Sequence, residues 1–70
     1  MNTKLKGYRV MAGYTQEDIA IELKVSRQSY NMKENGVNTF TQKERNLVFE
    51  ILMKKIPSLT MEELFPIDEG

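Results

Sequence analysis

Thr15-Gln16-Glu17-Asp18-Ile19-Ala20-Ile21-Glu22-Leu23, followed by Lys24-Val25-Ser26 and then Arg27-Gln28-Ser29-Tyr30-Asn31-Met32-Lys33-Glu34-Asn35-Gly36, is the stretch on which the fold turns. Its two halves read as helices over about 16–23 and 27–35. The first buries Ile19, Ala20 and Leu23 at helical spacing. The second stops at Asn35-Gly36, a pair suited to a helix C-terminus. Thr15 and Ser26 stand where a hydroxyl can cap the first turn of each. Only Lys24, Val25 and the cap Ser26 lie between them. Helices this short, joined this tightly, cross steeply and do not lie antiparallel. Ala20 is small enough for the point of closest approach, and Val25 is the apolar plug for the angle.

Outward from this unit the punctuation repeats. A helix over about 3–12 carries Leu5, Tyr8 and Met11 on one face and stops at Gly13, with Gly7 weakening it by roughly 1 kcal/mol relative to alanine. A helix over about 42–55 carries Leu47, Val48, Ile51 and Leu52, and Pro57 closes it. A last short helix near 61–65 packs Leu64 and Phe65. Thr41-Gln42-Lys43-Glu44 and Thr60-Met61-Glu62-Glu63 are capping boxes, and Thr15-Gln16-Glu17-Asp18 approximates one. No segment sustains strand alternation. The expectation is an all-α, compact bundle of five short helices in one domain spanning 1–70.

Seventy residues bury only about 60% of their unfolded surface, so the core is marginal. There is no cysteine and no histidine, which removes disulfides and zinc fingers. No apolar run approaches the length of a membrane span, and the N-terminus lacks a signal peptide's apolar core, so a cytoplasmic location is expected. Without His or Cys as nucleophile or base, and without a Gly-rich phosphate loop, the chain does not read as an enzyme. No metal or other cofactor is implied.

Ten basic residues balance ten acidic ones. That neutrality argues mildly against nucleic acid, because phosphate attraction dominates most such affinities. The distribution is uneven: residues 1–33 (Lys4, Lys6, Arg9, Lys24, Arg27 and Lys33 against Glu17, Asp18 and Glu22) carry net +3, and residues 34–70 carry net −3. The first half can face phosphate, although ordinary surface charge would look the same. Arg27, Gln28 and Asn31 share one exposed end of the third helix. Arg can bond guanine bidentately, and Gln or Asn adenine. A solvated polar face is the alternative for such a triplet.

Thr15-Gln16-Glu17-Asp18-Ile19-Ala20, Leu23, Val25-Ser26-Arg27-Gln28-Ser29 and Glu34-Asn35-Gly36, with the closing Met61-Glu62-Glu63-Leu64-Phe65, resemble the Cro/C1 (XRE) type of helix-turn-helix over about residues 5–66. Ser29-Tyr30, Lys33-Glu34, Phe40-Thr41 and Glu44 are closest in flavour to phage-repressor-like regulators of Gram-positive bacteria. The resemblance implies a lambda-repressor-like domain with its helix-turn-helix unit at about 15–36, and a transcriptional regulator, such as a repressor, that binds double-stranded DNA at a palindromic operator. It further implies that Arg27, Gln28 and Asn31 read bases in the major groove. Ser26, Ser29, Lys24, Asn35, Asn38 and Thr39 would lie against the DNA backbone, Gln16 would hold a phosphate, and Arg9 with Glu34 would form an ion pair. Two independent exposed charges are the alternative to that pair.

Three positions depart from the family pattern. Lys24 stands where glycine is usual, at a turn position favouring positive φ, which costs about 1 kcal/mol. Val37 replaces a common basic residue. Lys33 replaces a residue that is often apolar, and its stem is expected over the core with the ammonium outward.

Phe49, Met53 and Ile56 form a second apolar stripe on the fourth helix. Either the 57–67 tail covers it or a homodimer partner does. The rival to DNA binding is an antitoxin or another protein-interaction module on the same fold, using that stripe and Asp68-Glu69.

Overall fold

Four of the helices begin where the hydroxyl caps stand. In the computed structural model, which describes residues 3–66, five helices appear in the order α1 (Thr3–Ala12), α2 (Gln16–Leu23), α3 (Arg27–Glu34), α4 (Gln42–Met53) and α5 (Met61–Leu64), and no strand is present among the described residues. Thr15 Oγ1 accepts from the Asp18 N–H at 3.0 Å while Asp18 Oδ2 accepts from the Thr15 N–H at 2.9 Å, so the approximate capping box is a complete one. Thr41 with Glu44 and Thr60 with Glu63 do the same for α4 and α5. The Ser26 hydroxyl caps α3 by accepting from the Ser29 N–H at 3.0 Å. The ends of α3, α4 and α5 fall one or two residues short of expectation. At α4 a hydrogen-bonded turn continues through Lys55 and Ile56, both donating to the Leu52 carbonyl.

Three helices stop in one way. Gly13, Lys24 and Gly36 have φ of 85°, 61° and 84°. The residue after each donates back to the carbonyl five positions earlier: Tyr14 to Arg9 at 3.1 Å, Val25 to Ala20 at 3.0 Å, Val37 to Met32 at 2.9 Å. This is the left-handed stop that glycine makes without strain, and Lys24 adopts it with a side chain in place. The resulting turn sends α3 across α2.

The core draws on all five helices and on the segment before α5. It consists of Leu5, Ile19, Ala20, Leu23, Tyr30, Val48, Ile51, Leu52, Leu59 and Leu64. α2 packs on α3 and α4, and α1 packs on α3, α4 and α5. Tyr30 is fully buried and meets the Phe40 ring edge-on at 5.9 Å; Phe40 meets Phe65 likewise at 5.3 Å. This aromatic run fastens the 35–41 loop and the chain after α5 to α3.

Two expectations are corrected. Met11 is 70% exposed, and the inward face of α1 is Leu5, Arg9 and Ala12, with Tyr8 beside them. At 100° per residue Met11 lies about 120° round the helix from Leu5, whereas Arg9 and Ala12 lie within about 40° of it. An arginine, with its charge compensated, holds a place that apolar counting assigns elsewhere. Lys33 does not send its ammonium outward: Nζ donates to Glu44 at 2.6–2.7 Å and ties α3 to α4.

Phe49 and Ile56, both half-buried, pack against the core of the same chain, and Met53 is the most open of that stripe at 40% exposed. Leu59, in the segment after α4, is buried. Asp68 and Glu69 lie outside the described residues.

Candidate nucleic-acid interface

α3 has one face locked into the molecule and one face open. The locked face carries Tyr30 and Glu34, four residues apart, and both are buried. The open face carries Arg27, Gln28 and Asn31, all exposed, with Ser29 half-buried behind them. Ser26, Lys24, Asn35, Asn38 and Thr39 are also exposed. Gln16, at the start of α2, joins Arg27, Gln28 and Asn31 around one shallow concavity. The structure thus brings the three expected base readers and Gln16 to one place. Asn38 and Thr39 lie beyond α3, in the 35–41 loop.

The locked face is held by a polar network centred on Glu34. Oε2 accepts from Arg9 Nε at 2.7 Å and from the Tyr30 hydroxyl at 2.9 Å. Oε1 accepts from the second guanidinium arm of Arg9 at 3.2 Å and from Gln16 Nε2 at 3.0 Å. Four donors meet the roughly four lone-pair positions a carboxylate offers. Arg9 also donates to the Tyr14 carbonyl at 2.8 Å, beyond the end of its own helix. The expected Arg9–Glu34 pair therefore exists, and it is buried, bidentate and fully partnered.

The titration of these groups follows from their surroundings. Burial pushes the Glu34 carboxyl up, but the hydrogen bonds from Arg9, Gln16 and Tyr30 together outweigh it, and the net shift is downward. The hydrogen bond to Glu34 raises Arg9, against its own burial. Burial, followed by the nearby Glu34 charge, raises the Tyr30 phenol. For Glu44, burial again acts upward, and the Lys33 ammonium and the Thr41 backbone N–H overcome it.

The network does not stop at the core. Gln16 Nε2 also donates to Asn31 Oδ1 at 2.9 Å, and Asn35 Nδ2 donates to the same oxygen at 3.0 Å. Sequence reading placed Gln16, Asn31 and Asn35 at the interface as separate side chains; here they form one hydrogen-bonded row rooted on Glu34. Tyr30, which shapes that root, was quoted only for the family resemblance and given no role beside Glu34. Its spacing of four from Glu34 is the signal that was available. Both amide protons of Gln16 point at protein acceptors, so its side chain offers the surface a carbonyl oxygen.

The charge pattern changes once the chain folds. Arg9 is spent on Glu34 and Lys33 on Glu44. Without these pairs, residues 1–33 carry net +1 and residues 34–70 net −1. In the α2–turn–α3 unit the exposed cations are Lys24 and Arg27.

No family model matches the chain, nor does any curated protein or solved structure. The site's chemistry therefore rests on its own geometry: an open helix end with a planar cation and two carboxamides, braced from behind. No cluster of His, Cys, Asp or Glu able to hold a metal occurs among the described residues. No helix there is long and apolar enough to cross a membrane.

Proposed function

We propose that the chain is a sequence-specific regulator that binds double-stranded DNA, with α2 and α3 as a helix-turn-helix of the Cro/C1 (XRE) type and α3 seated in the major groove. The observation that carries the reading is the open end of α3, where Arg27, Gln28 and Asn31 stand exposed side by side while Tyr30 and Glu34 anchor the opposite face. A reading helix needs both: long paired-donor side chains outward, and a rigid seat. The tight left-handed turn at Lys24, which supports α3 on α2, fits the same arrangement. Ser26 and Ser29, near the start of α3, would lie against the DNA backbone with Lys24 and Asn35.

In this reading Gln28 contacts a base and Lys24 a phosphate. Selection of bound duplexes from a random pool, followed by sequencing, tests the reading as a whole. The expected result is a defined motif of a few base pairs per protomer. Two inverted copies one helical turn apart would identify a pair of protomers on a palindromic operator. Gln28→Ala is expected to cost about 1–3 kcal/mol at one base pair and to relax preference there. Recovery of no motif would remove the proposal.

A second reading has one observation in its favour. With Arg9 and Lys33 internally paired, little basic excess is left to attract phosphate, which suits a protein-binding module such as an antitoxin. Passage over random-sequence DNA at low salt separates the two, since a pure protein binder flows through.

A further inference from the structure

The hydrogen-bonded row that ends at Asn31 has a direction, and one charge sets it. Glu34, gripped by both arms of Arg9, is a carboxylate and can only accept. The Gln16 atom facing it at 3.0 Å must therefore be the amide nitrogen. That nitrogen has a second proton, which goes to the Asn31 atom at 2.9 Å, and this atom must be an acceptor, Oδ1. Asn35 meets the same oxygen at 3.0 Å, so it too presents nitrogen. Two donors fill the carbonyl of Asn31. What Asn31 has left for a ligand is Nδ2, with two N–H groups and no acceptor.

We infer that Asn31 is a donor-only base reader whose preference is guanine, through the adjacent N7 and O6 acceptors, and that Glu34, acting through Gln16, is the positioning residue that imposes this choice. The inference rests on the DNA-binding reading above and revises the adenine pairing that asparagine favours when its carboxamide is free. Bidentate contact with adenine needs one donor and one acceptor from the same side chain, and here the acceptor is taken.

Duplex selection with the wild type and three variants tests the assignment. Asn31→Ala identifies the base pair, as the one position whose preference disappears. At that position the wild type is expected to favour guanine over adenine by about tenfold or more. Asn31→Asp, which can only accept, should abolish the guanine preference there. Gln16→Met leaves Arg9 and Glu34 paired and frees one lone pair of Asn31 Oδ1, with Asn35 still donating to the other. Adenine should then rise to within about threefold of guanine at that position, on top of any loss of affinity shared by every duplex. A purely structural role for Gln16, or a phosphate contact alone, would lower binding to every duplex and leave that ratio alone.

Amide exchange in the free protein gives a readout that needs no DNA. The two Gln16 side-chain protons should exchange at least about tenfold more slowly than those of Asn31. A wild-type preference for adenine at the Asn31 position, an unchanged ratio in Gln16→Met, or equally fast exchange at Gln16 and Asn31 would each overturn the inference. A wild type that selects no motif overturns the DNA reading itself, so the two failures are distinct.

Discussion

At the scale of single residues, Lys24 is the strained position. It is the one non-glycine residue with positive φ among those described, 61°, at a stop that the chain twice makes with glycine. A side chain in the left-handed region costs roughly 1–2 kcal/mol, partly recovered because a glycine would have more freedom to lose on folding. Lys24→Gly is therefore expected to stabilise the fold by about 1 kcal/mol in denaturant titrations. The same substitution removes one of the two exposed cations of the α2–α3 unit. If Lys24 meets a phosphate, binding to all duplexes should weaken by a similar factor, because phosphates carry no sequence information. A variant that is more stable and binds less well would show that the strain is retained for function. A variant with unchanged affinity would remove Lys24 from the interface.

At the scale of elements, Glu34 joins what the backbone keeps apart. Arg9 comes from α1, Gln16 from α2, and Tyr30 and Glu34 from α3. Leaving one member of a buried ion pair without its partner costs about 3–5 kcal/mol, whereas replacing both with apolar groups of similar volume can be near neutral. A domain of this length is stable by roughly 4–10 kcal/mol in all. Arg9→Met alone is thus expected to lower stability by about 3 kcal/mol or more, enough to bring it near unfolding at 37 °C. Arg9→Met combined with Glu34→Met should recover much of that loss, as thermal melts would show. The double variant also deprives Gln16 of its anchor, so if the chain binds DNA as proposed, selectivity should not recover with stability. These contacts show where sequence reading reaches its range. The caps at Thr15, Ser26, Thr41 and Thr60 are local, within three residues of their partners, and could be placed from the order of residues alone. Met11 and Lys33 were misplaced because their positions depend on partners 11 or more residues away: Arg9 turns inward on account of Glu34, and Lys33 folds over on account of Glu44.

At the scale of the molecule, the charged groups set how stability depends on pH. The Glu34 and Glu44 carboxyls titrate lower in the folded chain than in the unfolded one. As pH falls below about 5 the unfolded state takes up protons first, so their stabilisation is present above that range and is lost on further acidification. The Tyr30 phenol titrates higher in the folded chain. Its contribution is therefore present below the ordinary value of 10.0 and is lost as pH rises beyond it. With no histidine to titrate between, the midpoint of urea unfolding is expected to be flat from about pH 5.5 to 9 and to fall on both sides. A slope across neutral pH would contradict this account. Binding should likewise reflect the folded charge. If the chain binds DNA as proposed, with Lys24 on a phosphate and Arg27 on a base edge, log K should fall with log salt at a slope of roughly −1 to −2 per protomer. A much steeper slope would mean that cations outside this unit, such as Lys4 and Lys6, reach the duplex.

What the order of residues determined by itself is the helical skeleton: five segments, their hydroxyl caps, the tight turn over Lys24, Val25 and Ser26, and the exposed trio on α3. Each of these depends on groups a few positions apart, where chain geometry leaves little choice. Beyond the Arg9–Glu34 pair that the family resemblance implied, only the tertiary structure decided which polar groups were already committed. Donors and acceptors are satisfied by whatever comes near in space, so the folded chain spends Arg9 and Lys33 internally, removes most of the apparent basic excess, and turns Gln16, Asn31 and Asn35 into one directed row. No spacing rule reports a carboxylate that arrives from 18 residues away to claim a glutamine's proton.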